Sequence, residues 1–222
     1  MPAAAIISVL NLLSGAVALL ISYYAYRANR LIGSILLRYI SVGFLLLGIS
    51  LFMQAGTETV VSATAIDALK VRDVSLVVFL VYTALQLIAY AVFAWGYGLS
   101  FFSRSTSKGT TIPLALATTG TLAKKLLAAG VFILAVYDLS QAAIVVLLLL
   151  IVYQGVRVFQ HTQSNLSLMV LFGFALIFVA HVLMLTAALT LGSNIFLVGN
   201  SIEFCGFVSL LFFLFWSGRV VK

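Results

Sequence analysis

The sequence predicts an all-α integral membrane protein of seven transmembrane helices in a three-plus-one-plus-three parallel internal repeat, N-terminus outside and C-terminus cytoplasmic. Three observations predict it. The 222 residues are 64% hydrophobic and 8% charged, with a mean hydropathy of +1.25, whereas a soluble chain carries about 25% charged residues to cover its surface. Sliding the chain by 130 positions lays Tyr23, Arg27, Gly43 and Phe44 on Tyr153, Arg157, Gly173 and Phe174, and residues 15–51 then match 145–181 at ten of 37 positions. Leucine coincidences between apolar segments weigh little, but a tyrosine, an arginine and a Gly-Phe pair in one register mark a repeat. Finally, ten of the twelve basic residues fall on one side of a seven-span arrangement.

Apolar stretches of about 20 residues are long enough to cross the hydrocarbon core as helices. Seven occur, at 5–26, 33–54, 75–98, about 122–139, 142–159, 166–190 and 194–217. The first is followed, not preceded, by Arg27 and Arg30, the reverse of a cleavable signal peptide. After the second, residues 55–74 read as a long outer loop. The third aligns with the seventh at an offset of 117: Phe79-Leu80-Val81 lies over Phe196-Leu197-Val198, Gln86 over Glu203, and Ala89-Tyr90 over Gly206-Phe207. The offset falls because the 55–74 loop is longer than the turn near Gly192-Ser193-Asn194. Residues 99–121, rich in Ser, Thr, Gly and basic side chains and holding Pro113, read as a cytoplasmic linker. The fourth span is shortened by Lys124 and Lys125, which must snorkel to the headgroups. The chain is thus one transmembrane domain, with 1–98 the first repeat, 99–139 the linker and fourth span, and 140–222 the second repeat. A single intervening span restores orientation, so the repeats are related by a pseudo-twofold axis along the membrane normal.

Charge sets the sidedness. Only Lys70 and Arg72 fall on the outer side, so the positive-inside bias puts the C-terminus in the cytoplasm. The net charge of +7 therefore reads as orientation and headgroup contact, and nucleic acid is not an expected partner. Arg27 and Arg157 end the first and fifth spans as lipid anchors. The expected partners are the lipid bilayer and a membrane-protein partner or second copy, in the cell membrane.

The Tyr-x3-Arg…Gly-Phe pattern resembles that of small archaeal seven-helix membrane proteins of no assigned activity. The plan of spans is similar, in topology only, to that of the SWEET sugar transporters and the microbial rhodopsins. The chain departs from both. It has no Pro-Gln pair of the kind that marks SWEET hinges, and Glu203 with no lysine occupies the seventh span where rhodopsins hold retinal. The resemblance implies an architecture and leaves the ligand open.

An ionisable group at bilayer depth is expensive and marks a candidate site. Glu203 is the foremost. It shares a helix face with Gly199 and Gly206 at i−4 and i+3, so it turns toward another helix. It is either a proton-titrating or cation-contacting group, or interhelical glue, with Gln86 as one partner. His181 lies at similar depth and either completes a proton relay with Glu203 or is a histidine bonded to a neighbouring hydroxyl or carbonyl. Asn200, one turn from Glu203, joins Asn11 and Ser14 of the first span and the Tyr82, Gln86, Tyr90 face of the third. Because repeat-built transporters put substrate at the repeat interface near the midplane, the mates Gln86 and Glu203 are where a pocket is expected. Gly43 and Gly173 are expected at tight helix crossings.

No catalysis, cofactor or metal is expected. Two histidines cannot supply the four axial ligands of a two-haem cytochrome, although one shared haem stays open, and Cys205 is the single cysteine. No phosphate loop, zinc-ligand cluster or Ser-His-Asp set is present. Two functions remain: a small-molecule or proton-linked transporter or ligand-binding protein, and a non-catalytic accessory subunit or sensor module acting through a partner.

Overall fold

The computed structural model describes residues 2–63, 68–102, 129–163, 165–190 and 193–220. Among these the chain forms six helices: α1 (Pro2–Ile32), α2 (Ile35–Ala63), α3 (Ala68–Phe102), α4 (Ala129–Thr162), α5 (Asn165–Thr190) and α6 (Ser193–Val220). Each contains a segment long and apolar enough to cross a membrane, and the protein is a multi-pass helical membrane protein. Inside hydrocarbon the backbone must satisfy its own polar groups, which only a helix does within one segment.

Chain chemistry fixes the ends. Pro2 occupies the first turn of α1, where its missing N–H costs nothing. Gly33 stops α1 with φ +69°, and its N–H donates to the Asn29 carbonyl at 2.8 Å. This is the left-handed cap that glycine adopts without strain. Gln163 does the same after α4, with φ 47° and a 2.8 Å bond to the Phe159 carbonyl.

Two expectations change. The predicted fourth and fifth spans do not meet at a turn near 140, because α4 runs unbroken from Ala129 to Thr162. The polar run Tyr137-Asp138-Leu139-Ser140-Gln141 suggests a turn, but no glycine or proline lies between Val131 and Gln154. The helix absorbs the polarity instead: Ser140 Oγ donates to the Tyr137 carbonyl at 2.7 Å, and Gln141 is buried against α5. The rest of the predicted linker and fourth span, 103–128, lies outside the described residues. The predicted 55–74 loop is largely helical, since α2 continues to Ala63 and α3 begins at Ala68.

The helices pack in chain order around a closed ring, α6 returning to α1. Ring contacts fix their directions. Phe79 meets Tyr137 with centroids 6.3 Å apart, and a methyl placed on Gly98 would sit 3.8 Å from Gln154 Nε2. Consequently α3 and α4 are parallel. Tyr24 against Phe215 at 6.3 Å is the corresponding contact of α1 with α6. These four helices run from the end holding Gln54 and His181 toward the end with the Gly33 and Gln163 turns; α2 and α5 run the other way. The end of α3 and the start of α4 therefore lie at opposite ends of the bundle, as do the start of α1 and the end of α6.

One contact recurs at the offsets of 130 and 117. A Cβ added to Gly43 would come within 2.2 Å of the Phe93 ring, and one added to Gly173 within 2.5 Å of Leu210. Phe44 and Phe174 touch each other across the bundle centre at 6.3 Å. Around them Phe93, Phe207 and Tyr97 complete an aromatic core. With lipid as apolar as leucine, close packing of this kind, not exclusion from water, holds membrane helices together.

Candidate functional site

Four helices deliver one polar side chain each to a single point. His181 of α5 approaches Tyr90 of α3, with Nε2 2.9 Å from the phenol oxygen. Its Nδ1 lies 2.9 Å from Gln141 Oε1 of α4. Glu203 of α6 brings Oε1 to 3.6 Å from Nε2. All four residues are buried, His181 with 2% and Glu203 with 4% of their surface exposed. Gly199 and Gly206 of α6 let α5 come close: a Cβ on Gly206 would fall 2.7 Å from Ile177, and one on Gly199 3.0 Å from Met184.

The chemistry of the cluster follows from its donors. Gln141 presents a carbonyl oxygen, so Nδ1–H donates to it and Nε2 is left with a lone pair in the neutral ring. The Tyr90 hydroxyl then donates to Nε2. When the ring takes a second proton, Nε2–H becomes a donor and the carboxylate of Glu203 is the anion within reach. A single proton between His181 and Glu203 would give the pair zero net charge, either as neutral imidazole and carboxylic acid or as imidazolium and carboxylate. Adding or removing a proton would leave an uncompensated charge in a buried site, which is costly.

Beside this cluster lies a cavity of about 10 Å³, room for about one water centre. Gln86, Tyr82, Asn200 and Gln54 line it together with His181 and Glu203. Gln86 and Glu203, which the sequence alignment pairs, thus face one cavity. Gln86 Nε2 reaches Gln54 Oε1 at 3.5 Å, not Glu203, and Asn200 Nδ2 donates to the Phe196 carbonyl of its own helix at 2.8 Å. Asn11 and Ser14 are buried in α1 but do not line this cavity. Arg27 and Arg157 are exposed at the far ends of α1 and α4, Arg157 with its guanidinium 5.1 Å from the Tyr153 ring.

Gln141 and Gln54 join the site without standing out in the sequence, and Tyr90 stands out there only as one member of a helix face. The signal for Gln141 was the unbroken run from Val131 to Gln154: a polar residue inside a helix long enough to span faces a neighbour. Among the described residues no group of three or more metal-ligating side chains occurs.

No family model, curated protein or solved structure matches the chain.

Proposed function

We propose that the protein is a proton-linked membrane transporter or ligand-binding protein of seven crossings, in which His181 and Glu203 together carry the titrating proton. The observation that bears the reading is the buried approach of Glu203 Oε1 to His181 Nε2 at 3.6 Å, in a cluster that Tyr90 and Gln141 orient. A scaffold gains nothing from a midplane acid and base that a hydroxyl would not supply at lower cost. The cavity of about 10 Å³ suits water and a proton; organic ligands occupy about 300–1,000 Å³. A small-molecule cargo requires a second, more open conformation.

The parallel repeat supports the seven-crossing plan. With α3 and α4 parallel, the chain that leaves α3 has to reach the other end of the bundle before α4 begins. The paired contacts of Gly43 with Phe93 and Gly173 with Leu210, and the paired caps at Gly33 and Gln163, agree with a pseudo-twofold axis along the membrane normal. The basic turn at Gly33 then faces the cytoplasm of the cell membrane, with the N-terminus outside. The reading assigns no catalysis, and its partners are the bilayer and a second membrane protein or copy.

The test is reconstitution into liposomes with a pH-sensitive dye inside. An imposed pH gradient with potential clamped should change the internal pH faster with wild type than in empty vesicles, and Glu203→Gln should abolish the difference. Equal rates for wild type and empty vesicles, under every solute gradient tried, would reject proton linkage. The smallness of the cavity favours one other reading, an accessory subunit or sensor module. Purification from native membranes with a stoichiometric partner would support it, and recovery alone would count against it.

A further inference from the structure

The turn between α1 and α2 carries a feature the proton site does not use. A groove of about 430 Å³ opens there, lined among others by Tyr26, Asn29, Arg30, Gly33, Arg38 and Val42. Arg30 and Arg38 are both exposed, and among the described residues no carboxylate forms an ion pair with either. The Arg30 guanidinium carbon lies 5.6 Å from the centre of the Tyr26 ring, and both residues line the groove. Two guanidinium forks and the Asn29 amide around one opening are the donor set of a phosphate.

The groove continues into an apolar track. Val42, Leu45 and Ile49 of α2 are 44%, 45% and 42% exposed. Spaced by three and four residues, they form one stripe along the helix, leading from the arginines toward the middle of the bundle's length. Charge at the end and hydrocarbon below it match a molecule with a phosphate head and an acyl tail. A free phosphate uses only the first part.

The internal repeat supplies a control. The α4–α5 turn has the same left-handed residue and the same backbone bond, at Gln163 and Phe159, but Gln160, Leu168 and Phe159 stand where the first turn has Arg30, Arg38 and Asn29. The fold builds this turn twice and needs the arginine pair for neither. Sidedness alone is served by basic residues anywhere along that face; it does not gather two into one groove.

We propose that the α1–α2 groove binds the phosphate head of an anionic phospholipid, its acyl chain lying on Val42, Leu45 and Ile49. The experiment uses the full chain in a non-ionic detergent. Binding of phosphatidylglycerol is compared with that of phosphatidylcholine of the same chains and with inorganic phosphate, by native mass spectrometry and thermal shift. Wild type should prefer phosphatidylglycerol, and R30Q/R38Q should weaken its binding about 25-fold, at about fivefold per arginine. Should the double variant fail to fold, R30Q and R38Q singly should each lose about fivefold. The proposal is overturned if the arginine variants retain full preference for phosphatidylglycerol. It is equally overturned if inorganic phosphate binds as tightly as the lipid, which would make the groove a free-anion site.

Discussion

At the residue scale, the cluster explains why Glu203 is tolerated at bilayer depth. Its carboxyl faces His181, whose other nitrogen is held by Gln141 and whose ring meets Tyr90 nearly edge-on, at 86°. Removing the phenol hydroxyl with Tyr90→Phe takes away one hydrogen bond to Nε2, a loss of about 1 kcal/mol of stability. It should also move the ring resonances of His181 in an NMR spectrum. Unchanged resonances would mean that Tyr90 does not bond to Nε2. Glu203, His181, Gln86, Asn200 and Tyr82 were legible in the sequence because charge and amides inside apolar runs are rare. Their partners were less so. Gln54 and Gln141 sit near the expected ends of spans, where polarity is unremarked, and only the packing of α4 on α5 turns Gln141 inward. Asn11 has the right depth but faces a different part of the ring.

At the element scale, crossings and caps carry the stability. A methyl at Gly43 would overlap Phe93 and one at Gly173 would overlap Leu210, so Gly43→Ala and Gly173→Ala should each cost about 1–3 kcal/mol, read as a lowered thermal midpoint in detergent. The two caps should respond in opposite directions. Gly33→Ala forces a side chain into left-handed backbone and should destabilise by about 1 kcal/mol, whereas Gln163→Gly relieves that strain and should stabilise by about 0.5–1 kcal/mol. Equal effects of both cap substitutions would contradict the assignment. The glycine roles could be inferred from the repeat alone, since Gly-Phe recurs in register with the arginines. The α4 boundary could not: five consecutive residues mix polar and apolar character, and hydropathy cannot distinguish a turn from a helix whose polar side chains find partners across an interface.

At the scale of the whole molecule, the six helices among the described residues close a ring whose centre is polar at one end and aromatic at the other, with Tyr90 at the boundary. The topology makes a direct prediction. Phe102→Cys and Ala129→Cys, each introduced in a Cys205→Ser background, should react with a membrane-impermeant thiol reagent from opposite faces of the membrane; labelling from one face would contradict parallel α3 and α4. The proposed repeat rests on Tyr, Arg and Gly-Phe kept at fixed spacing in two stretches of the sequence, and the positions where those stretches differ, Glu203 against Gln86 and Arg30 with Arg38 against Gln160 with Leu168, are where the proposed chemistry falls. The central claim is that Glu203 and His181 share a proton, and pH-difference infrared spectroscopy of the protein in liposomes tests it most directly. The account predicts a carboxyl band that changes with pH, is lost in Glu203→Gln and moves in His181→Gln. A spectrum whose titrating carboxyl bands are all unchanged by Glu203→Gln would contradict it.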